Sequence, residues 1–423
     1  MKIYLVGGAV RDMLMGREPK DRDYVVVGST HEEMIALGFG MPVGASFPVY
    51  LHPVTGDEYA LARTERSTGP GYHDFEVVFS PEVTIEEDLK RRDLTINAMA
   101  YDEEAEELID PFGGAKDIEN RILRAVSGTA MIEDPLRVYR AARLFARFGD
   151  KWDFDMDTAV AMLDAVDNLK WLPKERKFAE IQKCFSDQSE SNRPSQMIDV
   201  LVELGELPEI DALRHVPQPP EHHPEGDAYT HTLLVMDAAK EMFSKPETMW
   251  AAMLHDVGKS VTYEAHGNLH GHEEAGVPVA AGICDRFGVP QSWKKLALAV
   301  TKNHGRIHRI MEMKPKSVYD LFAELKVEQS MDMLINVIAA SVYDSNGRGP
   351  TRSKAYYPQG LFLLRVAYRF TAPAVREAMR EESQKIALKW KGNPAMISSE
   401  IRAMKISKLR GIIRTVKETD IGL

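Results

Sequence analysis

The stretch LVGGAVRDMLMG (5–16), followed by KDRDYVVVG (20–28), decides how the first part of the chain is read. A short apolar run, Ile3–Val6, enters Gly7-Gly8 and then a helix-like segment stopped by Gly16. That order gathers backbone N–H groups at a helix N-terminus, a place where an anion is stabilised. Arg11, on the first turn, can reach the same anion. The glycine spacing departs from G-x-G-x-x-G, which sets a dinucleotide-binding turn aside. Asp21 and Asp23 stand two apart at the start of the β-branched run 24–27, and the period of a strand puts both carboxylates on one face. Paired hard oxygen ligands suit Mg²⁺, which prefers few carboxylates plus substrate phosphates. A lone Asp-x-Asp is more often a solvated turn; it gains meaning beside the glycine pair and the arginine.

Working outward, Val49–His52, Tyr59–Arg63 and Phe75–Phe79 are expected as further strands, with TERSTGPGYHD (64–74) between the last two as a mobile loop. Thr84–Arg92 reads as a helix with Thr84 as N-cap and acidic residues in its first turn. Asp110-Pro111-Phe112-Gly113-Gly114 breaks the pattern, and helical periodicity dominates from about residue 115. It is clearest in DPLRVYRAARLFARFG, with Leu136, Tyr139, Ala142 and Phe145 or Ala146 on one face. Four prolines in HVPQPPEHHPEG (215–226) exclude a helix interior and predict a linker. Helices are expected beyond it.

These stretches are also recognisable. LVGGAVRDMLMG…KDRDYVVVG and RRDLTINAMA (91–100) resemble the nucleotidyltransferase head of the class II tRNA nucleotidyltransferases and poly(A) polymerases, and EDPLRVYRAARLFARF (133–148) matches the family's next motif. Nearly the whole chain is similar to the bacterial CCA-adding enzymes that carry an HD domain. The resemblance implies an α+β protein: a small mixed β-sheet head, an all-helical neck and a helical HD domain. It implies that Asp21 and Asp23 hold catalytic Mg²⁺, and that Gly8 and Arg11 contact the incoming nucleotide. Arg91, Arg92, Asp93 and Asn97 would handle the triphosphate and ribose, Asp134 and Arg137 would read the base edge of CTP and ATP, and Arg140 would also touch the nucleotide. Glu175, Arg176 and Glu180 of ERKFAE match a supporting motif, and Arg66–His73 a loop tied to the switch from C to A. The residue types fit these roles, because an Arg and an Asp present donors and acceptors to a base edge as a nucleic-acid template would. Arg143 and Arg147, on the same helical stripe, read equally well as a salt-bridged solvated face. A third carboxylate for the metals is either Glu58 or Glu65.

Histidines carry the second constellation. Ten of the 13 lie between His215 and His308. His is the commonest transition-metal ligand, so the clustering points to a metal site. Its sharpest element is MLHDVGK (253–259), where His255 and Asp256 are adjacent and, if helical, can share an ion at the helix edge. His231 in THTLLVMDAA and Asp344 in SVYDSNGR are the further ligand candidates. This H…HD…D pattern resembles the HD phosphohydrolases, with Lys259 as a phosphate contact. His270, His272 and His304 read either as second-metal ligands or as ordinary satisfied histidines; His222 and His223 read as ordinary linker residues. Mixed imidazole and carboxylate donors favour Ni²⁺, with Mn²⁺ or Co²⁺ as alternatives, for hydrolysis of phosphomonoesters, phosphodiesters or 2′,3′-cyclic phosphates. The expected organisation is a head at 1–111, a neck and reading region at 112–214, a linker at 215–227, an HD domain at 228–350 and a basic helical tail at 351–423.

Composition bounds these readings. The 423 residues exceed one ordinary core. Cys184 and Cys284 form no metal or redox spacing. No apolar run approaches the roughly 20 residues of a membrane helix, and the N-terminus lacks signal-peptide features, so a cytoplasmic protein without a membrane partner is expected. The net charge of −11 argues against nucleic acid as a whole-chain average, but residues 351–423 carry 15 Lys/Arg against 6 Asp/Glu. A local basic face is what meets phosphate. The expected partners are tRNA, CTP and ATP, with the chain a monomer or homodimer. The competing readings are a poly(A) polymerase of the same superfamily, a phosphohydrolase whose first half merely holds RNA, and a non-enzymatic RNA-binding protein; intact acidic ligands in two regions weigh against the last two.

Overall fold

Lys2–Val6 (β1) and Asp23–Val27 (β2) pair antiparallel at the centre of the sheet that organises the N-terminal half. In the computed structural model, residues 1–43, 48–67, 75–221, 223–349 and 356–419 are described; residues 68–73 of the expected switching loop, and His222, lie outside them. The chain divides into two compact units, Met1–Glu206 and Leu207–Leu423. In the first, Val49–Leu51 (β3), Glu58–Leu61 (β4), Arg63–Ser67 (β5), Phe75–Phe79 (β6), Ala100–Asp102 (β7) and Glu107–Ile109 (β8) complete the main strands. The sheet runs β3-β4-β2-β1-β7-β8, and only β2 and β4 are parallel, so the expected mixed sheet is present. Period two in β1 explains why both faces are covered. Tyr4 and Val6 join Val25, Leu89 and Ala98 on one side, while Leu5 joins Ala9, Val10 and Met99 on the other.

The strands depart from expectation in two places. The run Tyr59–Arg63 is not one strand: β4 ends at Leu61, Ala62 bonds back to the Val26 carbonyl, and β5 starts a separate hairpin with β6. Consequently Thr64–Ser67, expected in a mobile loop, are strand. The helix over Thr84–Arg92 is Ile85–Lys90 with a full capping box, Thr84 accepting from the Glu87 N–H and Glu87 accepting from the Thr84 N–H. Beyond β8 the unit is mainly helical, apart from the short pair Ile122–Leu123 and Asp153–Phe154, and is built chiefly of Leu136–Phe148, Lys174–Ser186 and Pro194–Glu203, which pack together. Leu136, Tyr139, Ala142 and Ala146 are buried on the expected face.

The second unit is helical in its described residues. Ala228–Glu241, Pro246–Met253, Gln291–His308 and Asp332–Asn346 pack around the fully buried Trp250 and its neighbours. Phe362, Val366 and Phe370 of Pro358–Phe370, with Leu409, Ile413 and Val416 of Pro394–Thr419, bury one face of the basic tail, leaving its charges outside. Segment 215–227 is no loose linker. Pro217 and Asp227 form an antiparallel bridge, and the Gln218 N–H donates to the Gly226 carbonyl at 2.8 Å.

Two helices of this unit come unusually close. Gly258–His266 and His272–Arg286 meet at Gly258 and Gly276, where a Cβ on Gly258 would collide with the His272 carbonyl oxygen and the Gly276 nitrogen. Gly258→Ala is expected to destabilise the second unit by about 1–3 kcal/mol through forced separation of these helices, read as a lower midpoint in chemical denaturation followed by a probe in residues 207–423.

Candidate active sites

The first unit holds an open cavity of about 410 Å³ lined by Gly7, Gly8, Arg11, Asp23, Arg63, Glu65, Arg91, Arg92, Asp93, Asn97, Asp134, Arg137 and Arg140. All the nucleotide-binding candidates named from sequence therefore line one pocket. Gly7 makes the turn into helix Gly8–Leu14 at a positive φ of 69° and lies so close to Arg92 that a Cβ would fall 2.8 Å from its Nη1.

The arginines are held by buried carboxylates. Asp88, with no exposed surface, accepts from Arg91 Nε and Nη2 at 3.0 and 2.8 Å and from Arg92 Nη2 at 3.4 Å. Glu65 accepts from Arg63 Nε at 2.9 Å and Arg91 Nη1 at 3.0 Å. Asp93 accepts from the Leu94 N–H, from Asn97 Nδ2 at 3.0 Å and from Arg140 Nε at 2.7 Å. Burial alone would raise the Asp93 carboxyl, but Arg140 and these hydrogen bonds outweigh it and hold it well below the usual carboxylate range. Arg11 donates to Asn97 Oδ1 at 2.6 Å and to Asp12 Oδ1 at 2.7 and 2.9 Å. Arg137 is anchored on the carbonyls of Ala130 and Arg91 at 3.0 and 2.5 Å. Arg143 pairs with the buried Glu180 at 2.6 Å and Arg147 with Asp12 at 3.3 Å, the structural reading for both.

Asp23 is the first residue of β2 and lines the cavity, whereas Asp21 precedes the strand and does not line it; both are exposed. The two carboxylates thus do not share a strand face by period alone. Asp23 lies in register with Glu58 on β4. Desolvation, then Glu58 and Asp21, push the Asp23 carboxyl up. A carboxyl raised by neighbouring acids is one a divalent cation would relieve, and Asp21 and Glu58 are the acids beside Asp23 that could share such an ion. Glu65, the other candidate third acid, is instead committed to Arg63 and Arg91.

In the second unit, His255 and Asp256 sit in a turn between Pro246–Met253 and Gly258–His266, not on a helix as expected; the helix breaks there and lets both side chains point inward. His231 comes from Ala228–Glu241 and Asp344 from Asp332–Asn346. Four histidines use Nδ1 on backbone carbonyls: His231 on Gly347, His255 on Ala252, His272 on Leu269, and His304 on Val300 and Thr301. A carbonyl accepts only, so each Nδ1 carries a proton, and Nε2 holds the lone pair that can take a second proton or a metal. Those lone pairs face carboxylates: His231 Nε2 to Asp344 at 3.1 Å, His255 Nε2 to Asp256 at 3.0 Å, and His272 and His304 Nε2 to Asp256 at 3.3 and 3.4 Å. Such a contact is satisfied either by a proton on Nε2 or by a metal cation between ring and carboxylate. His255 Nε2 and Asp256 Oδ1 are buried and make no hydrogen bond, in keeping with the latter. Among the described residues three groups have donors close enough to hold an ion: His231, His255 and Asp256; Asp256, His272 and His304; and His223, Glu225 and His231, so His223, expected as an ordinary linker residue, stands beside the cluster. His270 is exposed and belongs to none of them. Lys259 is engaged with Asp256 at 2.5 Å and Gln218 at 2.5 Å. Burial pulls His231 toward neutrality, but its hydrogen bonds with Asp344 and Glu225 prevail and push it up to about 9, so an incoming metal must displace a proton.

Sequence reading missed Asp88, Arg63, Glu225 and the pair His308–Tyr357, whose ring and hydroxyl continue from Asp344 at 2.6 and 2.9 Å. Only Asp88 carried a signal, an acid three and four residues before Arg91 and Arg92.

Two family models match the chain: the poly A polymerase head domain over residues 3–124 and the HD domain over residues 228–345. Fold and sites thus define a nucleotidyltransferase joined to an HD phosphohydrolase module. The multifunctional CCA protein of Halorhodospira halophila is 44% identical over 403 residues, covering 90% of this chain and 95% of its own. That of Pseudomonas aeruginosa is 44% identical over 384 residues, covering 89% and 92%. The chain belongs to the multifunctional CCA protein family. In fold it is similar to the Bacillus stearothermophilus CCA-adding enzyme in complex with CTP, with TM-score 0.65 and 22% identity over 99% of this chain and 93% of that one. The Thermotoga maritima CCA-adding enzyme complexed with tRNA gives TM-score 0.56 and 19% identity over 99% and 91%.

The Asp93–Arg140 pair yields a pH prediction. Asp93's pKa is depressed on folding, so its contribution is present above the ordinary carboxylate pKa of about 4 and is lost as pH falls toward the folded value. Arg140→Ala is expected to cost about 1–3 kcal/mol at neutral pH, toward the lower end because Arg140 is over a third exposed. In denaturation midpoints measured from pH 7 down to pH 3, the gap from the wild type should hold down to about pH 4 and narrow below it.

Proposed function

We propose that residues 1–206 add C, C and A to the 3′ end of tRNA from CTP and ATP without a nucleic-acid template, and that residues 207–423 hydrolyse phosphomonoesters or 2′,3′-cyclic phosphates. The observation that carries the first part is the single pocket that sets Asp23 beside the arginines and the Asp134/Arg137 pair, in a chain 44% identical to multifunctional CCA proteins. Along the chain we assign a head at 1–111, a reading region at 112–214 whose last residues, from Leu207, lie in the second compact unit, the connecting segment 215–227, the HD domain at 228–350 and the basic tail at 351–423.

In this mechanism the tRNA 3′-hydroxyl attacks the α-phosphate and pyrophosphate leaves. Arg11, Arg91, Arg92 and Arg140 neutralise the polyphosphate, each pre-oriented by Asp12, Asp88 or Asp93, so little reorganisation is needed when charge shifts to the leaving group. Asn97 lies between Arg11 and Asp93, where a ribose hydroxyl can be sensed. Asp134 and Arg137 supply an acceptor and donors to the edge shared by C and A: an exocyclic amine and a ring nitrogen. Asp21 and Asp23, with Glu58 as the third acid, would hold Mg²⁺, which lowers the hydroxyl's pKa and offsets charge on the leaving oxygen. The substrates support action in the cytoplasm.

In the second unit, His231, His255, Asp256 and Asp344 would hold one divalent ion, and His272 and His304 with Asp256 a second. Nitrogen and oxygen donors without thiolate favour Ni²⁺, with Mn²⁺ or Co²⁺ next; such an ion supplies a metal-activated water as nucleophile. Lys259, beside Asp256, is placed to meet the phosphate.

With Mg²⁺ and a tRNA transcript lacking its last three nucleotides, the purified chain is expected to add two residues from CTP and three from CTP plus ATP. Asp21→Ala or Asp23→Ala should lower extension by at least about 100-fold, the scale of losing an electrostatic catalytic group; a ladder grown on ATP alone would instead identify a poly(A) polymerase. His255→Ala and Asp256→Ala are expected to abolish opening of a 2′,3′-cyclic phosphate end to a monoester, and release of phosphate from a 3′-phosphorylated end, in the presence of Ni²⁺, Mn²⁺ or Co²⁺, while leaving nucleotide addition intact. Hydrolysis that persists in both variants would remove the assignment.

A further inference from the structure

The proline-rich stretch 215–227 precedes the residues matched by the HD-domain model, which begin at 228, yet it reaches the histidine cluster. The Glu225 carboxylate is buried, with 2% of its side chain exposed, and Oε1 lies 2.7 Å from His231 Nδ1 and 2.8 Å from His223 Nδ1. The rings of His223 and His231 meet edge to face at 4.8 Å between centroids. His231 Nδ1 also faces the Gly347 carbonyl at 3.2 Å. Both neighbours of that nitrogen are acceptors, so the proton resides there and Nε2 is turned toward Asp344 and Asp256, at 3.1 and 4.0 Å.

The backbone holds Glu225 firmly enough to orient a ring. Besides the bridge between Pro217 and Asp227, the Ala228 N–H donates to Val216 O at 3.0 Å, the His223 N–H to Pro219 O at 2.8 Å and the Gly226 N–H to His223 O at 3.1 Å. Gly226 takes a positive φ of 99°, which closes the turn directly after Glu225. Gln218, from the other arm, accepts from Lys259 at 2.5 Å. Both arms of this closed loop thus bear on the cluster. A carboxylate donated to by the distal nitrogen of a ligating histidine fixes tautomer and ring orientation and raises ligand basicity.

We infer that Glu225 is a positioning residue for His231, supplied to the metal centre by the loop ahead of the HD domain, and that it sets the affinity of that centre for a divalent cation. The inference rests on reading this cluster as a hydrolase site.

The test uses the full chain stripped of metal and titrated with Co²⁺, followed by calorimetry and by the visible absorption of the bound ion. The wild type should bind Co²⁺. Glu225→Ala should weaken binding by about 10–100-fold, the cost usual for losing such a partner, and should shift the absorption band as the ring relaxes. Glu225→Gln keeps an oxygen for the Nδ1–H and should lose less than about 10-fold. Both variants should keep nucleotide addition and a cooperative unfolding transition; should the alanine variant fail to fold, the glutamine variant decides. Wild-type affinity and spectrum in the alanine variant overturn the inference, as do wild-type affinity and spectrum in the glutamine variant where the alanine variant does not fold. So does loss of one whole equivalent of Co²⁺ with the remainder unaltered, which makes Glu225 a direct ligand of a separate ion. A wild-type chain that takes up no Co²⁺ overturns the hydrolase site itself, and the inference with it.

Discussion

Like charge crowded into one pocket is the constraint from which the first unit is built. Arg11, Arg63, Arg91, Arg92, Arg137 and Arg140 line a single cavity, and at the effective dielectric of a protein two unit charges 4 Å apart repel by about 4 kcal/mol. The fold meets this with carboxylates placed behind the arginines: Asp12, Asp88 and Asp93, all buried, and Glu65. These acids serve both stability and function. Removing one would leave buried positive charge uncompensated, which is costly. Keeping them leaves cationic forks whose orientation is set before any polyphosphate arrives.

The second unit solves the mirror problem. Asp256 and Asp344 are both nearly fully buried, and their compensation comes from histidine rings and Lys259. A histidine can give up its proton where an arginine cannot, so this cluster can exchange protons for a metal while the arginine pocket keeps its charge. Which ring nitrogen faces inward is settled by backbone carbonyls contributed by several different helices and turns. That explains why packing details such as the Gly258–Gly276 contact, remote from the chemistry in sequence, bear on it: His272 begins the helix that Gly258 touches.

How much of this was legible before the fold was known depends on whether the signal was local. The Gly-Gly turn, the Asp-x-Asp, RRDLTIN and the adjacent His255-Asp256 are contiguous motifs, and each sits in the pocket or cluster the reading assigned to it, apart from Asp21, just outside the lining. The strand break at Ala62 was invisible because no glycine or proline marks it, and only the bond from Ala62 to Val26 in the sheet divides the two halves. The turn at His255 was read as helix because helices were expected throughout that part of the chain; residues 254–257 are turn, and no glycine or proline before Gly258 marks it. Of the alternatives for a third acid, Glu58 and Glu65 look alike in sequence. Their difference is register: one faces Asp23 across the sheet, and the other faces arginines from a separate hairpin.

The proline-rich stretch shows the limit of compositional reading most clearly. Prolines exclude helix, and from that exclusion a linker is the natural conclusion. Yet proline also lowers the entropy of the unfolded chain, so a loop rich in it can be rigid when a few hydrogen bonds close it. Here the bridge at Pro217–Asp227 closes the loop. A segment that is rigid and adjacent to a histidine cluster is suited to hold a carboxylate at a fixed distance from a ring, which a mobile linker is not. The same composition that argues against regular structure is therefore what lets Glu225 act on His231 from outside the helical core.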